Sequence, residues 1–103
     1  MEVKTAEKIG WVKLSRHRKK VIIDLSDKLK IPTEISKSTG LSKSEVSRVL
    51  RDLKEKDIVI CLNEESHRGR IYCLTDVGSE ILKHIVYSEV ESDSNVILNK
   101  IIR

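Results

Sequence analysis

Apolar residues recur at helical spacing along the first half of the chain. After Ser15, which is suited to cap a helix, "RHRKKVIIDLSDKL" sets Val21, Ile22, Leu25 and Leu29 on one face, with the basic residues Arg16–Lys20 at its start. Pro32 then fits the first turn of a second, short helix over 32–39, because its ring presets φ and that turn needs no donor. Glu34 there complements the helix dipole, Ile35 is the buried residue, and Gly40 can take the left-handed conformation that closes a helix. Ser42-Lys43-Ser44-Glu45 has the S-x-x-E spacing of a capping box, which predicts a third helix over about 43–56 with Val46, Val49, Leu50 and Leu53 inward. Residues 1–13 offer Val3, Ala6, Ile9 and Trp11 as contact points for a further short helix.

The periodicity changes after Lys56. "IVICLN" and "RIYCLT" are β-rich and are joined by a polar, glycine-ended loop, so they predict a hairpin. The alternation suggests Ile58, Ile60 and Leu62 facing the core opposite Tyr72 and Leu74. A last helix starts near Thr75-Asp76, with Val77, Ile81, Leu82 and Ile85 inward, followed by a break at "ESDSN" and a short amphipathic "VILNKIIR". The expected class is mainly α with a small β-hairpin. Helix, short helix, tight turn, helix, hairpin, helix is the layout of a winged helix-turn-helix, with a three-helix core, a two-stranded wing and additional terminal helices. The pattern divides the chain into an N-terminal extension (1–13), a winged-helix domain (14–87) and a C-terminal segment (88–103) that can serve as a dimerisation element.

Charge gives the outward positions a meaning. The chain carries a net +4, and residues 1–60 hold 15 Lys and Arg against 9 Asp and Glu, so the positive excess belongs to the helical half. That balance suits an acidic partner. Trp11, Tyr72 and Tyr87 are the only aromatics, too few for the base-stacking platforms of single-strand binders. On the third helix Ser44, Ser47, Arg48 and Arg51 stand three or four apart and share the face opposite the apolar stripe. A major groove about 12 Å wide admits one such helix, arginine can pair with guanine, and serine can contact bases or phosphates. The hairpin loop adds His67, Arg68 and Arg70 around Gly69, a set able to reach a minor groove, while Glu64 and Glu65 weaken its grip on phosphate. Read separately, a solvated helix face and a hydrophilic turn would look the same; together they point to duplex DNA. The run Arg16–Lys20 could add phosphate contacts.

The segment "PTEISKSTGLSKSEVSRVLRDLKEKDIVICL" followed by "GRIYCLTDVG" resembles the winged helix-turn-helix transcriptional regulators of the MarR/ArsR type, most of all the small single-domain regulators common in archaea. The likeness spans about residues 11–83. It implies sequence-specific binding of double-stranded DNA, with the helix at about 43–56 in the major groove and the 64–70 loop as wing. By position it assigns Thr33, Lys43, Ser44, Ser47, Arg48 and Arg51, with His67, Arg68 and Arg70 of the wing, to DNA. Such regulators usually carry glycine where this chain has Asp57. The rival expectation is a winged-helix interaction module that docks an acidic protein without touching DNA.

Other chemistry finds little support. No nucleophile, carboxylate pair or glycine-rich phosphate loop stands in a catalytic setting, so no enzyme activity is expected. His17, His67 and His84 are not spaced for a metal, and no cofactor is implied. Cys61 and Cys73 lie on the two hairpin strands, and a register pairing Ile60 with Leu74 would set them opposite each other. Unreactive thiols are the plainer reading, a thiol switch the alternative. No apolar run is long enough for a bilayer and no signal peptide opens the chain, so the expected location is cytoplasmic. Finally, Ile85, Val86, Val96, Ile97, Leu98, Ile101 and Ile102 exceed the needs of so small a core. Pairing them with Val3, Ile9 and Trp11 of a second copy would make a two-fold homodimer.

Overall fold

A computed structural model describes residues 3–92 of the chain, and side chains over 4–86. Five helices and one hairpin follow in the order α1 (Val3–Lys13), α2 (Arg16–Leu25), α3 (Pro32–Thr39), α4 (Lys43–Glu55), β1 (Val59–Cys61), β2 (Tyr72–Leu74) and α5 (Asp76–Ser92). The core lies where α2, α3 and α4 pack on one another, with α1 and α5 closing it from the other side. Val21, Ile22, Leu25, Ile35, Val46, Leu50 and Leu53 fill its centre, each at most 1% exposed.

The helix ends follow the expected chemistry, with one exception. Ser15 Oγ accepts the Arg18 amide at 3.3 Å and starts α2. That helix stops at Leu25, short of the predicted end, because Ser26 adopts φ 44° and turns the chain out. Leu29 is consequently 62% exposed and does not join the apolar stripe. The turn delivers Lys30 to the hairpin, where its amide donates to the Tyr72 carbonyl at 3.0 Å and the Tyr72 amide donates back at 2.8 Å. A single residue thus acts as a third strand, a pairing that no local pattern announces. Lys30 Nζ also bonds Asp24 Oδ1 at 2.8 Å, and Ser38 Oγ bonds Asp24 Oδ2 at 2.8 Å, tying α2 to α3.

α3 begins at Pro32, with Glu34 Oε1 accepting the Ile31 amide at 3.0 Å, and ends at Gly40 with φ 80°. Across the turn, Ser36 Oγ donates to the Leu41 carbonyl at 2.7 Å, while Thr39 Oγ1 accepts the Leu41 amide at 3.2 Å. The capping box is formed on both sides: Ser42 Oγ accepts the Glu45 amide at 3.1 Å and Glu45 Oε1 accepts the Ser42 amide at 3.2 Å. At its other end α4 closes in a Schellman motif. The Ile58 amide donates to the Leu53 carbonyl at 2.9 Å and the Asp57 amide to the Lys54 carbonyl at 3.0 Å, with Asp57 left-handed at φ 59°.

That motif shifts the hairpin by one residue from the expected register. Ile58 is buried as the apolar partner of Leu53 in the helix stop, and the strand's alternation begins after it. Val59 pairs with Leu74, Ile60 with Cys73 and Cys61 with Tyr72. Val59 and Cys61 therefore point inward, while Ile60 (46% exposed) and Leu62 (52%) point out, contrary to the expectation that they face the core. The two cysteines are consequently on opposite faces of the hairpin, not across from each other, and both are free. Their intrachain pairing is ruled out by this geometry.

Thr75 links the hairpin to α5. Its Oγ1 donates to the Asp57 carbonyl at 2.6 Å and accepts the Gly78 amide at 3.0 Å, and its own amide donates to the Ile58 carbonyl at 3.0 Å. Gly78 lies so close to this turn that a Cβ there would come within 2.2 Å of the Ile58 carbonyl oxygen. Further along, Ile81 and Ile85 pack in the same core as Ile9 and Val12 of α1. Ile9 and Ile85, expected at a subunit interface, are therefore spent within the chain, because α1 and α5 pack directly on each other. Val86 stays exposed; Val3's side chain and the apolar residues 96–102 lie outside the described residues. Among the described residues no helix is long and apolar enough to cross a membrane.

Candidate nucleic-acid interface

The capping box starts α4, and the helix's buried stripe sets its rotation. With Val46, Val49, Leu50 and Leu53 buried, Lys43, Ser44, Ser47, Arg48 and Arg51 are all exposed. The side chains of Arg48 and Arg51 form no hydrogen bond or ion pair with other described residues, although Arg48 is near enough to Glu45 to act on its carboxyl. Glu45 in the first turn is engaged: besides the capping box, its Oε2 is 3.3 Å from His17 Nε2 at the start of α2. Hydrogen bonding with Ser42, through side chain and then backbone, holds the Glu45 carboxyl below its ordinary range, and the nearby His17 and Arg48 act in the same direction.

A groove of about 470 Å³ runs between the start of α3, the exposed side of α4 and the hairpin loop. Thr33, Ser47, Arg51, His67 and Arg70 line it together with Lys54, over a floor that includes Leu50 and Tyr72. Five of the nine residues assigned to DNA thus share one depression. Lys43, Ser44, Arg48 and Arg68 lie outside it and are exposed.

The wing is more ordered than a hydrophilic turn needs to be. Asn63, which the sequence pattern does not single out, accepts the Ile71 amide at 2.7 Å on Oδ1 and donates from Nδ2 to the Gly69 carbonyl at 3.2 Å. Arg70 Nε donates to the Ser66 carbonyl at 2.8 Å, and its Nη2 to the Glu64 carbonyl at 3.2 Å. Gly69, at φ 63°, supplies the left-handed bend between them. Glu64 pairs with Lys54 of α4. Their mutual hydrogen bond raises the lysine's pKa and lowers the glutamate's. Of the two acidic residues expected to weaken the wing's hold on phosphate, Glu64 is thereby partnered, while Glu65 is exposed. Lys54 stands three residues after Arg51 on the same helix, a spacing that could have flagged it; Asn63 was detectable only as a turn-forming residue type.

The basic run at the start of α2 is partly occupied. The Arg18 guanidinium stacks 3.8 Å from the centre of the Trp11 ring and its Nη1 donates to the Trp11 carbonyl at 2.9 Å. Arg16 and Lys20 remain exposed. Among the described residues no cluster of three His, Cys, Asp or Glu is placed to hold a metal ion.

Neither a family model nor a curated protein sequence matches the chain. Solved structures do. NMB1585, a MarR family regulator from Neisseria meningitidis, is similar with a TM-score of 0.70 at 22% identity, covering 90% of this chain and 67% of its own. A homodimeric winged helix-turn-helix DNA-binding domain from Mycobacterium bovis, Mb0332, described as a possible ArsR-family transcriptional regulator, gives a TM-score of 0.66 at 17% identity, covering 89% and 82%. A double mutant of ZitR from Lactococcus lactis gives 0.67 at 16% identity and covers 84% of this chain, which spans 61% of the ZitR chain. The chain therefore has the winged helix-turn-helix fold, in the form found among MarR-family and ArsR-family regulators.

Proposed function

We propose that this protein is a sequence-specific, duplex-DNA-binding transcriptional regulator that acts as a homodimer. α4 enters the major groove, and the 64–70 loop lies along the neighbouring backbone with its arginine toward the minor groove. The observation that carries this reading is the one groove that Thr33, Ser47, Arg51, Lys54 and His67 line together, with Arg48 and Arg68 exposed outside it. Ser44, Ser47, Arg48 and Arg51 choose the site, and the lysines and arginines supply most of the affinity through phosphate. The homodimeric state of the Mb0332 domain supports a two-fold arrangement here, in which half-sites lie about 34 Å apart along the duplex.

Selection from random-sequence duplexes, followed by titration of the enriched sequence at several salt concentrations, tests this reading. With six or more phosphate contacts per dimer, affinity should fall by about 10³ or more between 50 and 200 mM salt. Enrichment of a two-fold symmetric sequence is expected. Failure to enrich any sequence, with affinity indifferent to salt, overturns the reading and favours the docking of an acidic protein on the same face.

A further inference from the structure

Arg70 was assigned to DNA by its position in the loop, yet its guanidinium is turned back into the loop. Two of its nitrogens bond the carbonyls of Ser66 and Glu64, at 2.8 and 3.2 Å, from the far side of the same turn. Asn63 bridges the loop's neck, fixing both the Gly69 carbonyl and the Ile71 amide. The Ser66 amide donates to the Asn63 carbonyl at 3.0 Å, and the Lys54–Glu64 ion pair anchors this side of the loop to α4. Every one of these bonds lies within residues 63–71 or between them and α4. Arg68, two residues before Arg70, is exposed and makes no hydrogen bond or ion pair with another described residue.

We propose that Asn63 and Arg70 are positioning residues: they hold the wing in one conformation that presents Arg68, and Arg70 acts on DNA through Arg68 rather than by a contact of its own. The inference rests on the DNA-binding reading above. Its physical basis is preorganisation. A seven-residue loop left free must be ordered when it binds, and that conformational cost is removed if the loop is already stitched in the unbound protein. Arginine suits this role because its planar fork can serve two carbonyls at once; lysine carries the same charge as a single point.

The test is a double-mutant cycle on the enriched duplex, using the full chain with R68A, R70A, R70K, N63A and R68A/R70A. R70A and N63A should each weaken binding about tenfold, and R70K about as much as R70A. In the R68A background, R70A should add less than a twofold loss. Because the dimer carries each substitution twice, the slope of log affinity against log salt should fall by about 1.8 for the double variant, as for R68A alone, and not by about 3.6. In the free protein, amide exchange at Ser66 and Ile71 should accelerate in R70A and N63A while the α4 amides keep their protection. Additive losses, a doubled change in salt slope, or R70K binding like the wild type would overturn the inference and leave DNA binding intact. A wild-type chain that binds no duplex removes the DNA-binding reading and this inference with it.

Discussion

Replacing Gly78 by alanine should be among the most damaging small substitutions available in this chain, although it adds one methyl group. The new Cβ would sit 2.2 Å from the Ile58 carbonyl oxygen and 3.1 Å from Leu74 Cβ. A carbon and a carbonyl oxygen normally approach no closer than about 3.3 Å, so something must move by about 1 Å. The oxygen cannot simply yield, because it accepts the Thr75 amide at 3.0 Å and lies next to the helix stop at Asp57. Overpacking costs about 1–3 kcal/mol. Weakening the bonds of Thr75 to the Ile58 and Asp57 carbonyls adds about 0.5–1.5 kcal/mol each. The better helix propensity of alanine returns about 1 kcal/mol. The net expectation is a destabilisation of about 3 kcal/mol, or a fall in Tm of about 12–24 °C for a domain of this size. Gly10 in α1 is the control, since a Cβ there meets nothing within 4 Å. Gly10→Ala should stabilise by up to about 1 kcal/mol. Urea and thermal unfolding followed by the fluorescence of Trp11, the single tryptophan, measure both. A Gly78→Ala midpoint within experimental error of the wild type, or shifts of the same sign for the two variants, would refute the account of how α5 meets the hairpin.

Asp57→Gly should stabilise by about 0.5–1 kcal/mol in the same unfolding assay, because it removes a side chain from a left-handed position; a loss of stability would mean that the Asp57 side chain contributes more than its φ of 59° costs. Arg48→Ala should weaken binding to the enriched duplex by about 1–3 kcal/mol and relax preference at one base pair, measured by titration against single-base variants; unchanged affinity and preference would remove Arg48 from site selection. Glu45 has its pKa lowered from 4.5 in the folded chain, chiefly by Ser42, so the stability it contributes is present above pH 4.5 and disappears as pH falls through the depressed value. Between pH 7 and pH 3 the urea midpoint of Glu45→Gln should accordingly fall less than that of the wild type, and parallel curves would deny the capping box that role. Mild oxidation should leave Cys61 and Cys73 unlinked to each other within a chain; an intrachain disulfide in non-reducing mass spectrometry would contradict the register that puts Cys61 opposite Tyr72.

The readable parts of this fold were those governed by local rules. Ser15, Pro32, Gly40 and the Ser42–Glu45 pair are caps and turns whose chemistry acts within four residues, and each stands where a helix begins or ends. The exposed face of α4 was likewise legible, because the buried stripe from Val46 to Leu53 fixes the rotation of the helix. The misread parts depend on contacts distant in sequence or on a single φ angle. Ser26 ends α2 so that Lys30 can reach Tyr72, more than forty residues on. Asp57 turns left-handed and moves the strand's alternation by one, so that Ile60 and Leu62 exchange faces with Val59 and Cys61. The apolar surplus was misassigned in part for the same reason. Ile9 and Ile85 are far apart in the chain, and only the packing of α1 on α5 makes them partners. In the candidate site, the identity of the wing arginines was visible, but their orientation was not: Arg70 bonding carbonyls of its own loop is a three-dimensional fact.

The pairing of Lys30 with Tyr72 makes the length of the connector between α2 and α3 a fixed quantity. Adding or deleting one residue at 26–29 would bring a neighbour of Lys30 to Tyr72, reverse the alternation, and swing the ammonium away from Asp24 to the outer side. The connector therefore serves as a gauge that sets the height of the hairpin above the helices. Chains built on the same plan can lengthen the loop tip around Glu65–Arg68 without disturbing that gauge, whereas this short connector should keep its residue count.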